Sequence, residues 1–378
     1  MVRLSVIMPV YNAERFLQPA LDSVLRQNAV RELELICVDD GSTDGSPAIL
    51  EKTAAEDARV TVLHTAHGGP GAARNAGIAA AKGAYIAFLD ADDVLNAEAL
   101  RTALCKAEAD APDILLCASR TIDENGSVTE TRGVALHPHR LPQLPPVFSG
   151  RELGGALFAV GAVVWARLFR ADFLKDRGIA FPPLFRTEDV CFLFPALYLA
   201  NRISVLDIPL VDYRHCPANP SLERTKELDP LAFWNACVVL SETMRTCGAD
   251  GAVMTACRLY VLDQIRYNLK RIDTAAGFRA IRERMPAMLA EVGFSEEEKE
   301  AMSPRDRALI ALADLPWEDA LTVALCERRE EIFLQQRRTA KAEERARILE
   351  HSKAYRLGSL LLCVPKRIRS LLTRGGKR

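Results

Sequence analysis

Three carboxylates stand within four residues at Asp90-Ala91-Asp92-Asp93. They follow Ala84-Tyr85-Ile86-Ala87-Phe88-Leu89 directly, a β-prone apolar run that reads as a buried strand, so the acids emerge where that strand meets the surface. Positions i and i+2 of an extended segment project to one side, which lets Asp90 and Asp92 converge on one ligand while Asp93 begins the turn. Acids packed this tightly repel one another. A divalent cation removes that penalty, and hard oxygen ligands suit Mg2+ or Mn2+ bridging to a phosphate. The same spacing also suits a plain helix cap, because Asp commonly precedes a helix and the chain from Asn96 onward is helical in pattern. A second acidic pair, Glu188-Asp189, lies between Thr187 and the apolar run Val190-Cys191-Phe192-Leu193-Phe194. Thr187 fits a helix cap there, which sets both acids against the positive end of the helix dipole.

The elements that must position these acids alternate in type. Leu4-Ser5-Val6-Ile7-Met8-Pro9-Val10 is a strand pattern closed by Pro9, and an amphipathic helix follows from Glu14 to Gln27. Leu33 to Val38 repeats the strand and ends on Asp39-Asp40-Gly41-Ser42-Thr43-Asp44. There Asp40 faces a ligand and Ser42 or Thr43 opens the next helix. Val60 to His64 is a third strand, Pro70 to Lys82 a third helix, Ala84 to Leu89 a fourth strand and Asp113 to Cys117 a fifth. Such alternation predicts an α/β fold, a mostly parallel sheet with helices on both faces. Ligands bind such sheets beyond the carboxyl ends of the strands, where Tyr11-Asn12, Asp39-Asp40 and Asp90 to Asp93 all lie.

Ser5-Val6-Ile7-Met8-Pro9-Val10-Tyr11-Asn12, Asp39 to Asp44, Ala73-Arg74-Asn75-Ala76-Gly77 and Gly83 to Asp93 resemble, in order and spacing, the family 2 glycosyltransferases of GT-A fold. The resemblance implies an inverting, metal-dependent transfer of one sugar from a nucleotide sugar to a glycan acceptor in surface polysaccharide synthesis. It places Pro9, Val10, Tyr11, Asp39, Asp40, Arg74, Asp90, Ala91, Asp92 and Arg214 around the nucleotide sugar, with Asp40 accepting a hydrogen bond from the base. A carboxylate fits a uracil imide, which favours UDP, although a guanine edge also offers donors. Asp90, Asp92 and Asp93 are implied as the site for Mn2+ or Mg2+, and Arg74 as a diphosphate or sugar contact. Glu188-Asp189 matches the family's acid pair, with Asp189 the general base that takes the proton of the attacking hydroxyl. Trp165 and Glu188 fall on the acceptor side, though a lone Trp in an apolar run also suits the core. Arg167 stands where the family usually carries Lys, and Cys216 where it carries a second basic residue after Arg214.

The alternatives carry weaker signatures. A dinucleotide-binding oxidoreductase needs Gly-x-Gly-x-x-Gly at the first turn, which here is Tyr11-Asn12-Ala13-Glu14. A nucleotide-sugar-binding or scaffold protein on an inactive GT-A domain stays open, against the presence of every matched acid. The expected organisation is a GT-A domain over residues 1–225, with a nucleotide-sugar half at 1–118 and an acceptor half at 150–225. A helical region then fills 226–350, and a basic tail 351–378.

Candidate helices run from Leu231 to Met244, Val253 to Lys270 and Ala275 to Glu291, and the mixed-charge stretch Glu327 to Glu350 suits self-association. The segment from Ser119 to Ser149 lacks a sustained period and reads mostly as loop. Net charge is −1 over 378 residues, which argues against nucleic-acid binding. From His351 onward, however, there are eight Lys or Arg and no acid, and interleaved leucines fit either an anionic membrane surface or the acidic body of the protein. No segment reads as a signal peptide or a span, and ten scattered cysteines without Cys-x-x-Cys fit reduced thiols, so a cytoplasmic site is expected. His64-Thr65-Ala66-His67 and His137-Pro138-His139 read as solvated loop histidines.

Overall fold

The computed structural model describes residues 3–26, 32–215, 228–316, 318–320 and 322. Met1–Ile310 form one compact unit, and Ala311–Arg378 a second. Within the first, ten strands make one sheet: β1 (Leu4–Val10), β2 (Leu33–Asp39), β3 (Val60–His64), β4 (Tyr85–Phe88), β5 (Val94–Leu95), β6 (Ile114–Ile122), β7 (Val128–Glu130), β8 (Val147–Phe148), β9 (Arg167–Arg170) and β10 (Ile203–Arg214). The order across the sheet is β3-β2-β1-β4-β9-β6-β10-β5, with β7 on β6 and β8 on β10. Pairs β1·β2, β2·β3, β1·β4 and β6·β10 are parallel. β9 runs against both β4 and β6, so those two strands point the same way. The carboxyl ends of β1, β2, β4, β6 and β10 therefore share one rim, as the alternating pattern predicts.

Strand alternation splits the apolar residues between two cores. Leu4, Val6, Met8 and Val10 of β1 pack with Leu17 and Leu21 of α1 (Glu14–Leu25), Leu50 of α2 (Ser46–Glu56) and Leu100 and Leu104 of α4 (Ala97–Asp110). Ile7 faces the other way, where Ala73 of α3 (Pro70–Ala80) joins Phe88, Phe169, Phe181 and the Phe192 and Phe194 of α6 (Glu188–Leu199). Phe181 and Phe192 stack at 4.0 Å and Phe88 meets both edge-on, the geometries that ring quadrupoles favour. A short α5 (Ala171–Asp176) follows β9. Then α7 (Ala232–Thr246), α8 (Gly251–Arg271), α9 (Ala275–Val292), α10 (Glu296–Ala301) and α11 (Pro304–Leu312) complete the described helices. The three helical patterns beyond Leu228 are found within one or two residues of their expected limits.

Several expectations are corrected. Ala236, Leu240, Val253 and Cys257 of α7 and α8 belong to the same core as Phe192. The segment from Ser119 to Ser149 is mostly irregular, as expected, but its first part is ordered as strand: β6 extends to Ile122 and hairpins into β7. The second helix starts at Ser46 rather than at Ser42 or Thr43. The expected self-association helix at Glu327 to Glu350 and the basic tail lie outside the described residues, and among those described no helix is long and apolar enough to cross a membrane. Seven described cysteines are free thiols, and burial pushes Cys37 and Cys117 up to about 12.

The helix α3 lies flat on β1 because Gly77 offers no side chain: an added Cβ would sit 2.3 Å from Cγ2 of the fully buried Ile7. Gly77→Ala should therefore cost about 1–3 kcal/mol by overpacking. Gly251→Ala, where nothing lies within 4 Å, should stay within about 0.5 kcal/mol. Urea denaturation of both variants checks the contrast.

Candidate active site

The two acidic clusters meet through one residue. Arg74, on α3, is 4 % exposed, so it is not a solvated helix position. Its Nη1 donates to Glu188 Oε1 at 2.7 Å and to Asp189 Oδ1 at 3.0 Å, and its Nη2 to Asp90 Oδ1 at 2.8 Å. Burial opposes the guanidinium charge, but Asp189, Asp90 and Glu188 outweigh it and hold Arg74 more firmly protonated than usual. Arg74, expected as a diphosphate or sugar contact, stands here as an ion-pair hub linking the end of β4 to the start of α6. Asp189 is pushed well above the ordinary carboxylate value, because burial together with Glu188 and Asp90 outweighs the pull of Arg74. Thr187, just before the acids, takes the left-handed backbone conformation with φ of 61° and makes no side-chain cap. That conformation is costly for a β-branched residue and is typical of strained functional turns.

The cluster after β4 does not serve as a helix cap. Asn96 caps α4 by accepting from Ala99 N–H at 3.1 Å, which leaves the aspartates to other work. Asp93 is 1 % exposed and accepts the Arg214 backbone N–H at 2.8 Å. It faces the core and not the rim, which corrects its place in the expected three-acid ligand set. Among the described residues no group of three or more His, Cys, Asp or Glu is assembled to hold a metal ion. Burial and the neighbouring Asp90 push the Asp92 carboxyl up to about 6, and burial, then Asp92 and Asp90, raise Asp93 further. Ala91 is buried between them. Arg214 is turned inward as well, donating from Nε to Asp92 O and from Nη1 to Asp123 O and Glu124 O. It fastens the β6–β7 turn to the aspartate segment.

At the ends of β1 and β2 the motif residues chiefly hold one another. Asn12 Oδ1 accepts Thr43 N–H at 2.7 Å, Ser42 Oγ accepts Asn12 N–H, and Ser46 and Asp44 take the first amides of α1. Asp39 accepts Ser42 N–H and meets His64 Nδ1 at 3.0 Å. Burial opposes its charge, yet the bonds from Ser42 and His64 prevail and keep its carboxyl below the ordinary value. Asp40 accepts Gly68 N–H and Gly69 N–H at 2.8 Å each and meets His67 Nδ1 at 2.9 Å. Its two oxygens thus shape the loop beyond β3, where sequence reasoning had them accepting from a base. Tyr11 stays half exposed beside them. His64 and His67 were read as solvated, and their acidic partners were missed because Asp39 and Asp40 lie some 25 residues away in the chain.

On the acceptor side Trp165 is buried and stacks on Tyr213 at 5.3 Å with an interplanar angle of 2°, which is a core role. Arg167 is fully buried and has four carbonyl partners, on Cys117, Ala166, Ala135 and Gly161. With no acid beside it, burial brings it down to about 10. It braces the 135–161 segment and takes no part in the rim.

Comparison with known proteins bears on the fold and its family. A family model, Glycosyl transferase family 2, matches residues 5–168. The glycosyltransferase EpsJ of Bacillus subtilis is 34 % identical over 220 residues, 57 % of this chain and 61 % of that one. The poly(ribitol-phosphate) beta-N-acetylglucosaminyltransferase TarS of Staphylococcus aureus is 33 % identical over 211 residues, 54 % of this chain and 34 % of its own length. The chain thus spans less than two thirds of these relatives. The structure of TarS 1-349 in complex with UDP-GlcNAc superposes with a TM-score of 0.59 at 23 % identity, covering 88 % of this chain and 92 % of that one, which shows a shared GT-A fold.

Arg74→Met would leave three acids facing one another without their cation, at a cost of about 3–5 kcal/mol. The acids then titrate above their unfolded values. The folded variant binds more protons than the unfolded chain, and its stability falls as pH rises from about 4 to 7. Urea denaturation at both ends of that window should show the smaller deficit at the acidic end. Arg74→Lys should recover only part of the loss, since an ammonium cannot span three carboxylates as a fork does.

Proposed function

We propose that the chain, matched over residues 5–168 by the glycosyl transferase family 2 model, is a member of that family and moves one sugar, with inversion, from a nucleotide sugar to a hydroxyl of a glycan acceptor. The observation that carries this reading is the Arg74 cluster, where a single guanidinium separates Asp90 from Asp189. A donor whose diphosphate lies at Asp90 presents its anomeric carbon toward Asp189. The acceptor oxygen attacks that carbon opposite the diphosphate, the bond to the phosphate oxygen breaks with its electron pair, and the hydroxyl proton passes to Asp189. Proton transfer requires Asp189 in its ionised form, which the Arg74 guanidinium at 3.0 Å favours. Arg74 and Glu188 fix its orientation, and the rotation-restricting contacts lower the entropy lost on reaching the reactive geometry.

A divalent cation suits Asp90 and Asp92. Burial first, and then the charge of Asp90, raise the Asp92 carboxyl, and a Mg2+ or Mn2+ would favour its ionised form; such ions take one or two carboxylates and complete their shell with phosphate oxygens and water. When bound it would stabilise the charge gathering on the departing diphosphate. UDP is the favoured nucleotide, supported by the TarS structures solved with UDP and UDP-GlcNAc. Relatives named for glycosylating poly(ribitol-phosphate) support an acceptor from a surface polymer.

Asp189→Asn keeps the shape and removes the base, so transfer should fall by roughly 10²-fold or more with donor binding nearly intact. Near wild-type turnover of UDP-GlcNAc or another donor would return Asp189 to helix-dipole compensation. Asp92→Ala should lose the Mn2+-dependent part of UDP affinity while keeping the fold, and calorimetric titration with and without Mn2+ distinguishes the two outcomes.

A further inference from the structure

Arg132, His137, His139 and Arg140 gather four basic side chains within nine residues. The segment that carries them is tied to the rim of the sheet. Gly133 N–H donates to Ser119 O at 2.7 Å and Ala135 N–H to Ser119 Oγ at 3.3 Å. Because β9 begins opposite Leu116, Ser119 lies beyond it, toward the carboxyl ends of β4 and β6. The buried Arg167 guanidinium joins Ala135 O to Gly161 O. A Cβ on Gly161 would stand 2.0 Å from Val134 O, so only glycine lets the two strips of backbone lie this close. From the rim the chain turns onto one face of the sheet. Leu136 is buried in the core that holds Phe192 of α6, and Leu141 and Leu144 pack against that core. The turn between them, Pro138–Arg140, therefore lies on the face that carries Glu188 and Asp189 and leaves the rim at which they stand.

This charge is largely uncompensated. Arg132 forms a two-pronged pair with Asp207 at 2.8 Å. The rings of His137 and His139 meet edge-on at 5.8 Å, and Arg140 N–H donates to His137 O at 2.9 Å, so the other three bases surround one short turn. No carboxylate is among the groups that act on His137: burial first, then Arg140, His139 and Arg132, hold its imidazole below its ordinary value. The same cations disfavour the metal ion that two nearby imidazoles would otherwise invite. An anion relieves the repulsion instead.

Resting on the transferase reading, we infer that the 132–140 segment is an acceptor-binding surface for an anionic glycan, a chain bearing phosphodiester or carboxylate groups, and that Arg140 and His139 bind its charges. Both side chains are exposed. A guanidinium fork matches phosphate and carboxylate oxygens alike, and an imidazole N–H donates to either. Val134 beside them is 52 % exposed, and apolar surface next to cations suits a charged sugar chain better than a small free anion. The donor is an unsuitable occupant, because β4 and β9 separate β6 from β1 and β2 across the sheet.

The test titrates poly(ribitol phosphate), alginate and uncharged dextran at low salt into the full chain and into R140Q, R140K and the double variant H139Q/R140Q. Wild type should bind one or both polyanions and not dextran, the phosphate and carboxylate arms showing which charge is preferred. R140Q should weaken that binding about ten-fold, as loss of a hydrogen bond to a charged group does, and H139Q/R140Q further. R140K keeps the charge without the fork, so it should fall between R140Q and wild type. UDP affinity should be the same in all four proteins. Failure of wild type to bind either polyanion, equal affinity in wild type and H139Q/R140Q, or dextran bound as tightly as the polyanions each overturns the inference. Single-stranded RNA or phosphatidylglycerol vesicles bound equally well through Arg140 overturn it too. Wild type that binds a polyanion through Arg140 but neither UDP nor GDP removes the transferase reading and the acceptor role with it, whereas UDP binding beside an unaffected H139Q/R140Q removes the surface alone.

Discussion

A buried guanidinium is the constraint around which this site is arranged. Removing Arg74 from water is unfavourable unless its donors are met, and three carboxylates from two distant segments meet them. Those carboxylates have the mirror problem, since Asp90, Glu188 and Asp189 could not lie so close without a cation between them. Neither half is stable in this geometry alone. Further contacts key α3 to the segment before α6: Asn75 and Phe181 exchange two hydrogen bonds of 2.9 Å, side chain to backbone in each direction. The Arg74 guanidinium also lies 5.4 Å from the Phe181 ring, and Gly71 lets Glu188 approach until a Cβ would meet it at 3.1 Å.

The sheet explains how residues over a hundred positions apart reach one guanidinium. β9 runs against its neighbours, and that reversal lets the chain return along α5 and the 181–187 segment to the rim where β4 ends. At the opposite rim Asp113 takes up the loose ends, accepting from Arg170 and from the amides of Asn201 and Arg202. Arg214 closes the arrangement at the carboxyl end of β10 by binding Asp92 O and giving its own amide to Asp93. The acidic segment is thus fixed from both sides, Asp90 by Arg74 and Asp93 by Arg214.

Much of this was legible in the chain, for a physical reason. Strands buried on both faces are continuous apolar runs and the helices beside them are amphipathic, so β1 to β4, β6 and the late helices could be bounded within a few residues. β9 escaped because its four residues, Arg-Leu-Phe-Arg, carry charges at both ends, and the donors of Arg167 are met by carbonyls that the fold brings to it. The β6–β7 hairpin escaped because Arg120 and Thr121 look like loop until Asp212 and Glu130 pair with them. Positions of site residues were visible in the same way, but their partners were not. Pairing of His64 with Asp39, or of Arg74 with Asp189, depends on long-range geometry to which local pattern is blind.

That difference bears on what a sequence motif means here. Asp40, Asp39, Asn12, Ser42 and Asp44 follow a pattern that suggests ligand contacts, yet most of their polar atoms are engaged with one another and with backbone amides. Their immediate work is to hold two strand ends and the loop after β3 in one conformation before any substrate arrives. Preorganisation of this kind moves ordering entropy from the binding step to folding, so the rim at these strand ends is already formed. A substitution at Asp40 would act first on the shape of the Gly68-Gly69 loop, and only through that shape on whatever the loop binds.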